Sequence, residues 1–434
     1  MDVPTYAVET GPLPEPLQAP ETVADAGVPR AVLEDLALKS LAVAGSSSLR
    51  ELAKKMRLPF RVVDELFRRL RTDQLCEVTG MTGNIAEVAI TSRGRSRALD
   101  LLSLNQYTGV APVSLQSYVQ RVRQQSVRNL EIHLPEIQCA FAHLVLDPKI
   151  LAKLGTALNS GGSIFLYGPT GAGKTTIAMA LARAVASDLV WIPFAVEVDG
   201  QIISVYDPYV HAKMDGFFSQ SYDARWVPCH RPTVLVGGEL TIEMLELQLN
   251  PVARFYSAPV QMKANNGVLI IDDFGRQRLR PEELLNRWVV PLDRRIDFLT
   301  LAGGKKVEIP FELFVVFATN LEPSSLADAA FLRRIQTKIR VGAVSQQQFH
   351  EIFERVCAGF GLQCEPGIID ELMGVIRTKF GEPLRACHPR DIVNQVRWAA
   401  RYQKRAPCLD RDAVLAAVDS YFVSETNDTD SQIG

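Results

Sequence analysis

The stretch Gly168-Pro169-Thr170-Gly171-Ala172-Gly173-Lys174-Thr175 fits the pattern G-x-x-x-x-G-K-[ST] in full, and it narrows the folds open to this chain more than any other segment. A short apolar run from Ile164 to Tyr167 reads as a buried strand before it, and Thr176-Ile177-Ala178-Met179-Ala180-Leu181-Ala182 reads as a helix of good formers after it. Strand, glycine-rich turn and helix N-terminus together make an anion cradle. The glycines let successive N–H groups point inward, and the positive helix end adds to them. In that setting Gly168, Pro169, Thr170, Gly171, Ala172, Gly173, Lys174, Thr175 and Thr176 form the binding segment. Lys174 is expected to reach the β- and γ-phosphates of a nucleotide, and the Thr175 hydroxyl to ligate Mg²⁺. An accidental glycine-rich turn is the competing reading, disfavoured by the complete pattern and its strand–helix context.

A chain of 434 residues has room for two or three domains around such a cradle, with ample core to stand without disulfides or metal. Its hydrophobic content of 47% and charged content of 22% are ordinary for a soluble globular protein. The formal net charge of −2 means that any basic surface must be local. Cys76, Cys139, Cys229, Cys357, Cys364, Cys387 and Cys408 are scattered, with no C-x-x-C pair, which points to reduced thiols in a cytoplasm. No apolar run approaches the ~20 residues needed to cross a bilayer, and no basic-then-apolar leader is seen. Neither export nor membrane insertion is expected.

Residues 1–30 carry Pro4, Pro12, Pro14, Pro16, Pro20 and Pro29 and are expected to form a disordered arm. From Ala31 the apolar spacing becomes helical through Leu41. Ser48-Leu49-Arg50-Glu51 is a capping box opening a second helix. Pro59 opens a third, with Val62, Val63, Leu66, Phe67 and Leu70 on its apolar face. Cys76-Glu77-Val78-Thr79 and Ala86-Glu87-Val88-Ala89-Ile90-Thr91 then read as a hairpin. Three helices and a hairpin make a winged helix-turn-helix. Its third helix carries Arg61, Arg68, Arg69 and Arg71, which suit DNA phosphates or guanines; the bland reading is a solvated face on a protein-docking module. The expected wing tip has no Lys or Arg, which weakens the DNA reading.

Residues 103–135 read as a connector, and Lys149 to Leu158 as the helix delivering the chain to the phosphate loop. Beyond the loop helix, Leu189–Val198 and Gln201–Tyr206 flank Asp199-Gly200, a hairpin signal. Lys213-Met214-Asp215-Gly216-Phe217-Phe218 places glycine beside aromatics, either as a mobile loop gripping a substrate chain or as core. Val268-Leu269-Ile270-Ile271 is a continuous apolar run, as in a parallel strand buried on both faces, and Asp272-Asp273 end it where ligands sit in such sheets. Leu313 to Ala318, closed by Thr319-Asn320, is a second such strand. Phe298–Leu301 and Lys306–Ile309 read as a hairpin around Gly303-Gly304, and residues 345–423 as successive amphipathic helices.

In order and type these motifs resemble those of AAA+ ATPases across residues 136–423. The resemblance implies that Asp272 holds Mg²⁺, mainly through water, and that Asp273 orients and activates the attacking water. It makes Asn320 the sensor-1 residue, and Arg333 or Arg334 of Asp328-Ala329-Ala330-Phe331-Leu332-Arg333-Arg334 the arginine finger reaching a neighbouring subunit. Arg390 of His388-Pro389-Arg390-Asp391 becomes the sensor-2 contact to the γ-phosphate, with His388 a packing or capping group. Standard AAA+ modules carry Glu at the position of Asp273; the Asp-Asp form is similar to the helicase-loader and replication-initiator branch. Asp is one methylene shorter, so hydrolysis is either slow or assisted by Glu239 of Gly237-Gly238-Glu239-Leu240.

The expected fold is therefore α/β: a P-loop NTPase (AAA+) parallel sheet at 136–344 with a C-terminal helical lid at 345–423. A winged helix-turn-helix domain at 31–102 and a connector at 103–135 precede it, and a disordered tail at 424–434 follows. The whole chain resembles bacterial AAA-type ATPases with chaperone activity associated with Flp pilus assembly. That implies an ATP hydrolase in a hexamer-like ring that remodels a protein partner, a pilus or secretion component. The alternative is a DNA-binding regulator or loader using ATP as an assembly switch.

Overall fold

A computed structural model describes residues 17–83, 85–214, 222–326 and 329–422. The expected aromatic loop at Asp215 to Phe218, Asp328, residues 1–16 of the expected arm and the tail lie outside the described residues. Five parallel strands form the central sheet, lying side by side as Thr233–Val236, Val268–Ile271, Phe314–Thr319, Ser163–Tyr167 and Thr337–Arg340. Counted along the chain this spatial order is 2-3-4-1-5. The phosphate-loop strand thus sits between the fourth and fifth strands, where the direction of winding changes; in open α/β sheets this is where ligands bind, at the carboxyl ends of the strands.

The apolar runs are continuous because both sheet faces are covered. Ile164, Leu166, Val268, Ile270, Phe314 and Val316 pack under Ile177, Ala178 and Leu181 of the loop helix Lys174–Val185. The alternate positions Phe165, Leu269, Ile271, Val315 and Phe317 pack against Phe274, Leu284 and Trp288 on the other side. Helices Gln346–Phe360, Ile368–Thr378, His388–Tyr402 and Arg411–Tyr421 close around a core of their own. This is a parallel α/β fold of P-loop type, followed by a C-terminal helical bundle that is called the lid below.

Ahead of it, helices Arg30–Ala44, Leu49–Met56 and Phe60–Thr72 stand against an antiparallel sheet ordered Ser46–Ser48, Ile85–Ile90, Cys76–Thr82, which is a winged helix-turn-helix arrangement. The capping box forms as read: Ser48 Oγ accepts from Glu51 N at 3.2 Å, and Glu51 Oε2 from Ser48 N at 3.0 Å.

Of the arm expected to be disordered, the described residues 17–30 are built into the fold. Val23, Ala26 and Val28 are buried in the winged-helix core, and Val23 N donates to Glu65 Oε2 at 3.1 Å. Small apolar side chains among prolines are buried here because the helices Arg30–Ala44 and Phe60–Thr72 supply apolar partners in the same core. A second departure is at Phe194. The run read as one strand divides there: Leu189–Pro193 pairs with Trp226–His230, while Ala195–Val198 turns away and pairs with Gln201–Ser204. The hairpin turn has Asp199 and Gly200 at φ 51° and 78°, the geometry the Asp-Gly pair favours.

That hairpin belongs to a second sheet, ordered Gln248–Leu249, Tyr256–Ser257, Gln201–Ser204, Ala195–Val198, Val113–Ser114. The connector residues are thereby built into the fold, with Tyr118 and Val122 packed under Val196 and Ile203. Ala195 and Ile202 pack into the winged-helix core, and the Arg57 guanidinium lies 4.4 Å over the Phe194 ring. The buried Arg225, paired with Asp223 at 2.8 Å, donates to the carbonyls of Ala26 and Pro112 at 2.7 and 3.1 Å and ties the arm and the connector to the start of the strand Trp226–His230.

Candidate functional site

The phosphate loop is shaped by two close approaches that admit no side chain. Gly168 has φ 137°, and a Cβ there would stand 2.1 Å from the Val341 carbonyl oxygen on the neighbouring fifth strand's exit. Gly171 has φ 77°, and a Cβ there would stand 2.5 Å from Cys387 Sγ of the lid. Cys387 N donates to Gly171 O at 3.2 Å, so the lid is fastened directly to the loop. Gly171→Ala is expected to cost about 1–3 kcal/mol through overpacking and a strained φ. Adding Cys387→Ala should return the steric part, seen as a partial recovery of the thermal midpoint. Equal midpoints for single and double variants would mean that this contact carries no strain.

Lys174 opens the loop helix and is only 7% exposed. Its Nζ donates to Gly168 O at 3.0 Å, Pro169 O at 2.9 Å and Asn320 Oδ1 at 2.6 Å. Burial lowers its pKa from the ordinary lysine value, while the carboxylates of Asp273 and Asp272 pull the other way. Asn320, at the end of the fourth strand, passes the contact on: its Nδ2 donates to Asp273 Oδ1 at 3.1 Å. Beside this line the Thr175 hydroxyl lies at 3.0 and 2.8 Å from the two Asp272 oxygens. Lysine, amide and two carboxylates from three separate segments therefore converge at the carboxyl edge of the sheet.

The acidic turn is held from behind. Asp273 has φ 48°, a left-handed conformation that Asp tolerates better than most residues, and its N–H donates to Asp272 Oδ1 at 3.0 Å. Gln277, which the motif reading missed, bridges the turn: Nε2 donates to Asp272 O at 2.7 Å and Oε1 accepts from Gly275 N at 2.8 Å. A glutamine in a polar loop carries no pattern of its own, so no sequence signal marks it. Thr319 Oγ1 donates to Phe274 O at 2.6 Å and stitches the turn to the fourth strand. Glu239 lies at the end of the adjacent second strand, its Oε1 accepting from Gly237 N at 2.9 Å; that bond lowers its carboxyl pKa.

The remaining residues are placed less uniformly. Arg334 Nε is ion-paired with Asp293 Oδ2 at 2.7 Å, whereas Arg333 is exposed and forms no ion pair among the described residues. The Arg390 side chain is 66% exposed, with Asp391 Oδ1 at 3.5 Å from its Nε, whereas Arg385, Ala386 and Cys387 are the lid residues nearest Gly171 and Gly173 of the phosphate loop. His388 is buried, its ring edge-on to Tyr421 and Phe422, with Nδ1 accepting from Arg385 N at 3.3 Å. Burial holds it down to about 4, so it is a neutral packing group near pH 7. In the third winged helix, Arg61, Arg68 and Arg69 face Glu21, Asp64 and Asp73 at 3.1, 2.6 and 3.4 Å, all at the surface.

Among known proteins, a family model described as a domain of unknown function, DUF8689, matches residues 345–420, within the helical lid. No curated protein matches. Of solved structures, the chain is similar to NtrX from Brucella abortus in complex with ADP, at 14% identity over 67% of this chain and 59% of that one, with a TM-score of 0.40. It is also similar to the Thermotoga maritima RuvB Holliday junction branch migration motor, at 14% identity over 64% of this chain and 70% of that one, with a TM-score of 0.37. The chain thus spans 59% of the length of the NtrX chain it matches. No helix among the described residues is long and apolar enough to cross a membrane.

Proposed function

We propose that this chain is an AAA+ ATPase that binds and hydrolyses Mg-ATP at subunit interfaces to remodel or assemble a protein partner. The observation that carries the reading is the hydrogen-bonded line Lys174–Asn320–Asp273 beside the Thr175–Asp272 pair. Lys174 is held on loop carbonyls that phosphate oxygens would replace, and a hydroxyl against a carboxylate is the hard oxygen set that Mg²⁺ takes. Thr175 and Asp272 would hold the ion, which neutralises charge on the β- and γ-phosphates when bound. Asp273 orients and deprotonates the attacking water. Asn320 holds the Asp273 carboxylate in place and keeps Lys174 from pairing with it directly.

Arg333 is the finger in this reading, because Arg334 is committed to Asp293 within its own chain. Arg390 serves as the lid's contact to the γ-phosphate once lid and loop close on nucleotide. The division into winged helix at 31–102, connector, nucleotide module at 136–344 and lid at 345–423 is part of the same proposal, as are a hexamer-like ring, a cytoplasmic setting and a pilus or secretion component as client. The regulator reading has less support, since three arginines of the third winged helix already face carboxylates.

Shared sites make a definite demand on mixtures. Arg333→Ala and Lys174→Ala subunits should each lack turnover, and mixing them should restore part of it, because one intact interface combines the wild-type half of each. A finger of this kind is worth ~10³–10⁵ in rate, so the recovery is readily measured. Failure to recover at any ratio, in mixtures shown by light scattering to co-assemble, overturns the shared-site reading. Arg334→Ala should give no such complementation.

A further inference from the structure

Between Asp391 and Asp410 the chain contains no Asp or Glu, while Arg397, Arg401, Lys404 and Arg405 follow one another within Arg397-Trp398-Ala399-Ala400-Arg401-Tyr402-Gln403-Lys404-Arg405. This run forms the last turns of the lid helix His388–Tyr402 and its exit. The apolar side of the helix is buried, with Ile392, Val393 and Val396 in the lid core and Ala400 buried as well. What it leaves outside is aromatic and cationic: Trp398 is 59% exposed and Tyr402 89% exposed. The two rings stand at i and i+4, on one face and about 6 Å apart along the axis. Arg401, Lys404 and Arg405 are exposed around them, and none forms an ion pair among the described residues. Beside Trp398, the Arg397 guanidinium stacks 3.9 Å over the partly exposed ring of Phe360.

Cations at a helix C-terminus are favoured by the helix dipole, which accounts for charge at this end. It does not account for a Trp and a Tyr held in water among them. We propose that this lid surface binds single-stranded nucleic acid, the cations on phosphates and Trp398 and Tyr402 stacking on unpaired bases. The chemistry separates this occupant from others. Trp, Tyr, Phe and Arg also occur in protein-docking centres, but such centres are depleted of charge, whereas here Arg401, Lys404 and Arg405 stand exposed around the rings with no carboxylate in the run. A membrane-surface helix buries its aliphatic face in lipid, and that face is already used by the lid core. A duplex offers its phosphates but hides its base faces, so two exposed rings favour an unpaired strand.

The test uses the full chain and fluorescence anisotropy with labelled oligothymidylate and oligouridylate of about 16 nucleotides, a duplex of equal length, and anionic phospholipid vesicles. Single strands should bind more tightly than the duplex, and preference between the two oligonucleotides identifies DNA or RNA as the source. Trp398→Ala/Tyr402→Ala should weaken single-strand binding at least ~10-fold, since stacking on each ring is worth ~1–3 kcal/mol. Trp398→Phe/Tyr402→Phe should keep most of it, which excludes an effect of folding. Arg401→Ala/Lys404→Ala/Arg405→Ala should flatten the slope of log affinity against log salt by about 2. The proposal is overturned if the double alanine variant binds single strands like the wild type. It is equally overturned if Arg68→Ala/Arg71→Ala abolishes the binding instead, or if vesicles bind to this face and single strands do not.

Discussion

Replacing Lys174 by alanine should weaken ATP binding roughly 100-fold, and the loss should appear as the disappearance of the thermal shift that ATP gives the wild-type chain. The estimate rests on charge-assisted hydrogen bonds worth ~1.5–3 kcal/mol each and on ~1.4 kcal/mol per factor of ten. This ammonium sits on three oxygens, two from the phosphate loop and one from Asn320, the hard acceptors that phosphate oxygens would replace. Alanine is a good residue at the start of a helix, so the loop helix should persist. The removed cation also takes away the positive charge that offsets the nearby Asp272 and Asp273 carboxylates, which disfavours an anionic ligand further. An unchanged dissociation constant would refute the phosphate-loop assignment.

The second large effect is on turnover. Asp273→Asn should reduce kcat by about 10²–10⁴, the range of a lost general base, and leave the dissociation constant for ATP nearly unchanged. The substitution is well controlled by the structure. Asparagine tolerates the left-handed backbone of this position, φ 48°, and its amide oxygen can still accept from Asn320 Nδ2. Geometry is therefore kept while basicity is removed. Turnover at the wild-type rate would transfer the role to another acid, and Glu239 is the nearest test: with Glu239→Gln added, activity should then fall. The bond from Gly237 N to Glu239 holds that carboxylate at the end of the neighbouring strand, where it can only act after leaving its present partner.

The legible parts of this molecule were those whose signal is local. A strand buried on both faces must be apolar at every position, so Val268–Ile271 and Phe314–Thr319 announce themselves, and the acids and amide that end them are found by position. The phosphate loop is local for a different reason: its backbone conformation demands glycine at fixed spacings. Other features depend on surfaces that no short window contains. Residues 17–29 looked too poor in large apolar groups to fold, yet Val23, Ala26 and Val28 are received by helices formed elsewhere. The division at Phe194 follows from two different partners, Trp226–His230 and Gln201–Ser204, competing for one apolar run. Gln277 is an ordinary loop residue until its amide is seen spanning Asp272 O and Gly275 N.

By itself the sequence determined that a glycine-rich turn opens a helix after a buried strand, and which acids and amide terminate the other central strands. Those are statements about residue type at short range, where backbone sterics and burial leave few alternatives. Only the tertiary structure decided how these pieces serve one another. It set Asn320 between Lys174 and Asp273, pressed Cys387 of the lid onto Gly171, and paired Arg334 with Asp293 while leaving Arg333 at the surface. The reason is distance along the chain. Lys174 and Asn320 are 146 residues apart, and a 2.6 Å hydrogen bond between them exists only because two parallel strands are packed side by side.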